Sequence, residues 1–294
     1  MGLVDYPSSD DDGDGEDDSR QATFTVNTTD SPLPTLPPLP HAFHDLYAAT
    51  VRTAPTDDPS LHHGRHRAIP HVTGQWPSHL YIEWFPSPSE HALLSQLLAS
   101  LATRLGQSAV HSLLTSDLGA PLPLHISLSR PFVLTTANKT GFLADLTASI
   151  RASGVPQSTV TLAGLDWFRS PDAARAFLVL RVKLDDPLSP VQPLAALLRR
   201  CNALLLHAGQ PALYTDGGSD DEVVAGNGDA SAFHVSIAWT LAADLEAWAD
   251  TTRQVYETWK QANQKAAALF VPVKSIKSKI GNVVTDIPLA RARN

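Results

Sequence analysis

The chain has 294 residues, 43% of them hydrophobic, and a formal net charge of −8, which is enough length for one large domain or two small ones with a sizeable core. Its single cysteine, Cys201, excludes an intrachain disulfide scaffold and a cysteine-built zinc site and points to a reducing compartment. No apolar run approaches the roughly 18 residues of a membrane span, and the N-terminus is acidic where a targeting peptide is basic, so a soluble intracellular protein with no membrane partner is expected.

Residues 1–20 hold eight acids against Arg20, and the proline-dense run SPLPTLPPLP follows at 31–40. Such composition cannot bury enough apolar surface to offset ordering entropy. Residues 1–60 are therefore read as a disordered acidic and proline-rich segment, its prolines a polyproline spacer or a docking motif, and 61–294 as the folded domain. Next, HLYIEWF (79–85) alternates as a strand, and SEHALLSQLLASLATRLG (89–106) has apolar residues at helical spacing with Ser89 placed to cap it. PLHISLSRPF (123–132) returns to strand character, a helix follows over about 138–152, and TVTLAGLDWF (159–168) and RAFLVLRVK (175–183) form two strands around a turn at RSPDAA. Ser189-Pro190 opens a helix running to His207. A Gly/Ser/Asp-rich acidic loop then leads to a strand at 232–240, a helix over about 242–264 and two terminal strands, ALFVPVKSI and NVVTDIP. The order predicts an α+β fold with mostly antiparallel strands. From Thr258 onward seven bases face one acid, compatible with a polyanion partner or with a solvated charged surface.

One short pattern occurs twice. His125-Ile126-Ser127-Leu128 and His234-Val235-Ser236-Ile237 lie in two strand-like runs. On a strand, residues two apart share a face, so each His and Ser point one way while the apolar neighbours point into the core. A lone His-x-Ser arises easily, as the near miss His71-Val72-Thr73 shows; the pair carries the signal. Two imidazoles and two hydroxyls in one cleft suit phosphodiester transesterification. A neutral imidazole takes the ribose 2′-hydroxyl proton, an imidazolium protonates the leaving oxygen, and the hydroxyls bind the non-bridging oxygens. No metal or other cofactor is required by this scheme.

Paired His-x-Ser motifs mark the 2H phosphoesterase superfamily, and the chain resembles its U6 small nuclear RNA phosphodiesterase branch in further segments: GRHRAIPHVTGQWPSHLYI (64–82), RAFLVLRV (175–182), LYTD (213–216), FHVSIAW (233–239) and KSIKSKIGNVVTDIPL (274–289). The resemblance implies two pseudo-symmetric lobes, each an antiparallel sheet flanked by helices, with a cleft between them. It also implies a nuclear, metal-independent 3′-to-5′ RNA exonuclease that trims the oligouridine tail of U6 and leaves a 2′,3′-cyclic phosphate or a 3′-phosphate. His125 and His234 then match the acid/base pair, Ser127 and Ser236 the phosphate-binding hydroxyls, and Tyr214 an aromatic that stacks on the terminal base, although the acidic insertion 217–230 follows it. Arg130 is placed to meet RNA phosphate or to form an exposed salt bridge. A monomer is expected.

Two rivals stand beside this reading: a cyclic phosphodiesterase or RNA-ligase-like 2H enzyme, and a spliceosome-associated RNA-binding protein with an idle site. His62, His63, His66 and His71 form a patch that reads as loop rather than metal site. Trp76, Trp84, Trp167 and Trp239 read as packing residues, and Gly217-Gly218 and Gly226-Asn227-Gly228 lack the spacing of a phosphate-cradling loop.

Overall fold

The computed structural model describes residues 72–106, 109–116, 118–169, 175–183, 193–214, 233–241, 244–263 and 269–291, and among these described residues period-two and helical segments alternate as ten strands and four helices. The acidic N-terminal segment, the histidine patch at 62–71, the turn at 170–174 and the acidic insertion lie outside the described residues. The strands are β1 (Gln75–Trp84), β2 (His111–Ser112), β3 (Leu124–Ser127), β4 (Phe132–Thr135), β5 (Ser158–Arg169), β6 (Ala176–Lys183), β7 (His234–Thr240), β8 (Leu269–Val273), β9 (Ser275–Ile280) and β10 (Val283–Pro288). The helices are α1 (Pro88–Leu105), α2 (Lys139–Ala152), α3 (Pro193–His207) and α4 (Glu246–Ala262).

All the strands join one sheet in the order β10-β9-β1-β3-β7-β6-β5-β8, with β4 on β1 and β2 on β7, and every pairing between them is antiparallel. The α+β class and the antiparallel strands are as the sequence implies. Each His-x-Ser strand has three strands outside it on that path, so the sheet halves correspond as expected. The separate sheets expected of two lobes are instead one sheet, joined edge to edge where Ile126 pairs with Val235.

The core lies on one face. Leu80, Ile82 and Trp84 of β1, Ile126 of β3, Val235 and Ile237 of β7 and Ile276 of β9 are buried with Leu94, Leu97 and Leu101 of α1, Leu146 and Ile150 of α2, Leu197 and Leu198 of α3, and Val255 and Trp259 of α4 in a single cluster. Burial at every second strand position is the two-residue repeat of a sheet with one face covered. The intervening residues form the other face, which carries both motifs.

Several boundaries depart from the sequence reading. The cap of α1 is Ser87, not Ser89: the Glu90 amide donates to Ser87 Oγ at 3.3 Å and the Ser87 amide donates to Glu90 Oε2 at 2.7 Å. Pro88 takes the first turn, where a missing N–H costs nothing. β1 starts at Gln75, because Pro77 is accommodated inside the strand. The run 123–132 breaks after Ser127. There the Leu80 amide donates to the buried Ser129 hydroxyl at 2.8 Å, and β4 pairs further along β1. The tail folds as three strands rather than two, turning at Gly281-Asn282. Gly281 has φ +61°, and an added Cβ would sit 2.7 Å from the Trp76 ring, so both backbone and space require glycine.

Candidate active site

Alternation on β3 and β7 sets the site. Leu124 and Ile126 are buried, so His125 and Ser127 face outward; Val235 and Ile237 are buried, so His234 and Ser236 face outward on the same side. The Ile126–Val235 pairing, continued in antiparallel register, sets His125 beside Ser236 and Ser127 beside His234. Each histidine therefore neighbours the other motif's serine, and the imidazoles lie diagonally across the strand boundary, within reach of long side chains and of one phosphate between them. Neither serine hydroxyl is engaged by a protein partner among the described residues.

The environment of His125 comes from β1. Glu83 is directly opposite it and Tyr81 opposite Ser127. The His79 ring stacks on Tyr81 at 5.3 Å and meets His125 edge-on at 5.4 Å, with Tyr81 to His125 at 5.6 Å. His125 keeps an accessible face, yet burial foremost, and then repulsion from His234, holds it below the ordinary histidine range. A ring crowded on one side by His79 and Tyr81 and open on the other is consistent with both observations. A proton on either imidazole opposes one on the other, so the doubly protonated pair is disfavoured. His79 is pushed down to about 4 by burial first and then by the charge on His125, against a favourable backbone contact with Ser129; at neutral pH it is an uncharged ring.

β9 adds charge. Lys277 lies opposite Tyr81 and Lys279 opposite His79. Lys277 Nζ is 2.8 Å from Asp286 and 3.6 Å from Glu83, and its hydrogen bond to Asp286 foremost raises its pKa. Burial works against the Asp286 carboxylate, but bonds from Lys277 and Ser275 prevail and lower it.

The surroundings of His234 are aromatic. Phe168, 42% exposed, lies 5.5 Å from it between ring centroids, and Tyr214 lies 6.4 Å away. Tyr214 is the only non-glycine residue with positive φ among those described, at +57°. Its left-handed backbone is held by the preceding residue. Buried Asn202 of α3 donates from Nδ2 to the Leu213 carbonyl and accepts the Leu213 amide at Oδ1, both at 3.0 Å. Such a clamp sustains a conformation that costs on the order of 1–3 kcal/mol. The ring packs edge-on against Phe233 at 5.6 Å, and burial pushes its hydroxyl pKa up. Arg181, opposite His234, pairs with Asp166 at 2.9 Å.

Of the six residues singled out from sequence, five gather here. Arg130 does not: the alternation breaks at buried Ser129, and Arg130 is exposed beyond the end of β3 with no contact to either motif among the described residues. His79, Tyr81, Phe168 and Lys279 were missed. For the first two the signal was available, since His79-x-Tyr81-x-Glu83 alternates on a run already read as a strand. The tryptophans pack as expected: Trp84 and Trp239 are 2% and 8% exposed, Trp167 Nε1 donates to Thr252, and Trp76 Nε1 donates to Thr136. A cavity of about 440 Å³ between α1 and α4, lined by Gln96, Arg104, Gln254 and Trp259 among others, holds none of the motif residues.

Residues 37–288 match a family model described as "HVSL: Uncharacterised conserved protein". The chain is 38% identical to a Neurospora crassa protein named U6 snRNA phosphodiesterase 1, over 91% of this chain and 79% of that one. It is 23% identical to the Mus musculus protein of the same name, over 98% of each. A solved structure of Kluyveromyces marxianus Usb1 with uridine monophosphate aligns with 72% of this chain and 98% of its own at 17% identity and a TM-score of 0.49.

Proposed function

The chain belongs to the U6 snRNA phosphodiesterase family, and from that premise we propose that it is an RNA phosphodiesterase that processes the 3′ end of U6 snRNA, with His125 and His234 as its proton-transfer pair. The observation that carries the assignment of residues is the Ile126–Val235 pairing, which brings two motifs 109 residues apart in sequence onto adjacent strands and one face.

The penultimate ribose 2′-hydroxyl attacks the last phosphodiester. One imidazole accepts its proton while the other, as imidazolium, delivers a proton to the departing 5′-oxygen. Ser127 and Ser236 donate to the non-bridging oxygens as charge grows there. The terminal uridine leaves as a nucleoside and the shortened RNA ends in a 2′,3′-cyclic phosphate; the pair opens it to a 3′-phosphate with roles exchanged, as water in the place of the departed 5′-hydroxyl loses a proton to one imidazole and the leaving 2′-oxygen takes one from the other. Tyr214, beside His234, stacks on the terminal base. These groups supply acid, base and oxyanion contacts from side chains, so the reaction proceeds without a metal cofactor. The substrate's oligouridine end, a nuclear location, a role in splicing through U6 and action as a monomer belong to the same proposal.

The experiment is incubation of 3′-diol oligouridine with purified protein in EDTA, followed by mass analysis. Release of uridine with a cyclic phosphate or 3′-phosphate on the shortened chain is expected. Release of a 5′-mononucleotide, or activity that returns only with a divalent ion, contradicts the proposal.

A further inference from the structure

The paired motifs hold one phosphate, and RNA longer than a dinucleotide must cross the sheet on one side of it. Two lysines stand on the motif face of β9, and their circumstances differ. Lys277 is about a fifth exposed and bound to Asp286 and Glu83. Lys279, opposite His79, is exposed and makes no ion pair among the described residues. Its charge nevertheless reaches the site, being one of the influences on His79, whose ring touches His125. β9 lies two strands from β3, roughly 10 Å across the sheet, so Lys279 meets a phosphate other than the one between the serines.

Reaction geometry chooses the direction. In an in-line displacement the attacking and leaving oxygens lie on opposite sides of phosphorus, so the RNA body and the departing nucleoside extend to opposite sides of the histidine pair. The exposed Phe168 ring and the Tyr214 ring beside His234 suit a base; the polar surface of His79, Tyr81 and Lys279 suits a backbone. We propose that Lys279 holds a phosphate 5′ of the scissile one, and that the RNA body runs from the paired motifs across β1 and β9. This subsite rests on the reading of the motifs as an RNA phosphodiester-cleaving site.

The test compares wild type with Lys279→Gln on diuridylate, which contains only the scissile phosphate, and on pentauridylate. The pentauridylate-to-diuridylate ratio of kcat/KM should fall about 5- to 10-fold in the variant, and the logarithmic salt slope for pentauridylate should become shallower by about 0.7. Lys279→Arg should restore both. A pentauridylate with a 2′-deoxy penultimate ribose should bind the Gln variant more weakly by a similar factor, a readout independent of turnover. A ratio and affinity within twofold of wild type overturn the subsite. Wild-type protein that cleaves neither substrate overturns the phosphodiesterase reading instead, and the affinity measurement still decides Lys279.

Discussion

Around β3 and around β7 the same four-residue pattern occupies equivalent strands, yet what surrounds each histidine differs. His125 sits against His79, Tyr81 and Glu83, with Lys277 and Lys279 one strand further out. His234 sits against Phe168 and Tyr214, with its neighbouring cation Arg181 tied to Asp166. The repeated backbone supplies a matched pair of imidazoles on one face of the sheet. The unmatched surroundings give that pair a direction, polar on the side of β1 and aromatic on the side of β7. In the proposed reaction that asymmetry lets a symmetric pair act on a substrate with distinct ends.

The largest effects should come from removing what the two motifs share. His125→Ala and His234→Ala should each lower turnover about 10²- to 10⁴-fold while circular dichroism stays that of wild type; a large loss in one alone would mean the two motifs are not equivalent partners. Ser127→Ala and Ser236→Ala test the phosphate contacts. Each should lower kcat by up to about 10²- to 10³-fold, the range for a lost oxyanion donor, and a change confined to KM would assign the hydroxyls to ground-state binding.

The unshared part is tested with smaller effects. Tyr214→Ala should weaken kcat/KM for oligouridine roughly 5- to 150-fold, corresponding to about 1–3 kcal/mol of stacking, whereas Tyr214→Phe keeps most of it. Equal values for both variants and wild type would make the ring a packing residue on Phe233.

On the β1 side the effect is on stability. Since the folded protein holds His79 at about 4 and the unfolded chain near the ordinary value of about 6.5, the unfolded state binds the extra proton between those values. Stability should be full above about pH 6.5 and fall as pH drops towards 4. His79→Phe should make urea midpoints less dependent on pH across that window, and an unaltered pH dependence would show that His79 is not the group responsible.

Much of this was legible from local pattern. The faces of His125, Ser127, His234 and Ser236 follow from two-residue alternation and the antiparallel strands from the order of the elements, while the two halves are implied only by the resemblance to the 2H superfamily. What sequence could not supply was the pairing of Ile126 with Val235, a contact between distant segments with no local signal. β9 escaped for another reason. Its inward positions are Ile276, Ser278 and Ile280, and a buried serine among lysines disguises the alternation, so the strand pattern from sequence stops at Ile276. With the rest of that strand unseen, Lys279 had no neighbours from which to infer a role. Ser87 lost its place as cap to Ser89 because Pro88 interrupts the apolar pattern, although a proline in the first turn is itself a start signal.

In the proposed reaction the nucleophile is the substrate's own hydroxyl. Oligouridine with a single 2′-deoxy substitution at the penultimate ribose, compared with all-ribose oligouridine under the same conditions, tests this directly. Protein acting through the paired motifs should leave the deoxy substrate intact while releasing uridine from the ribose one. Release of the terminal nucleoside from the deoxy substrate at an unchanged rate would show that water is the nucleophile and would contradict the account.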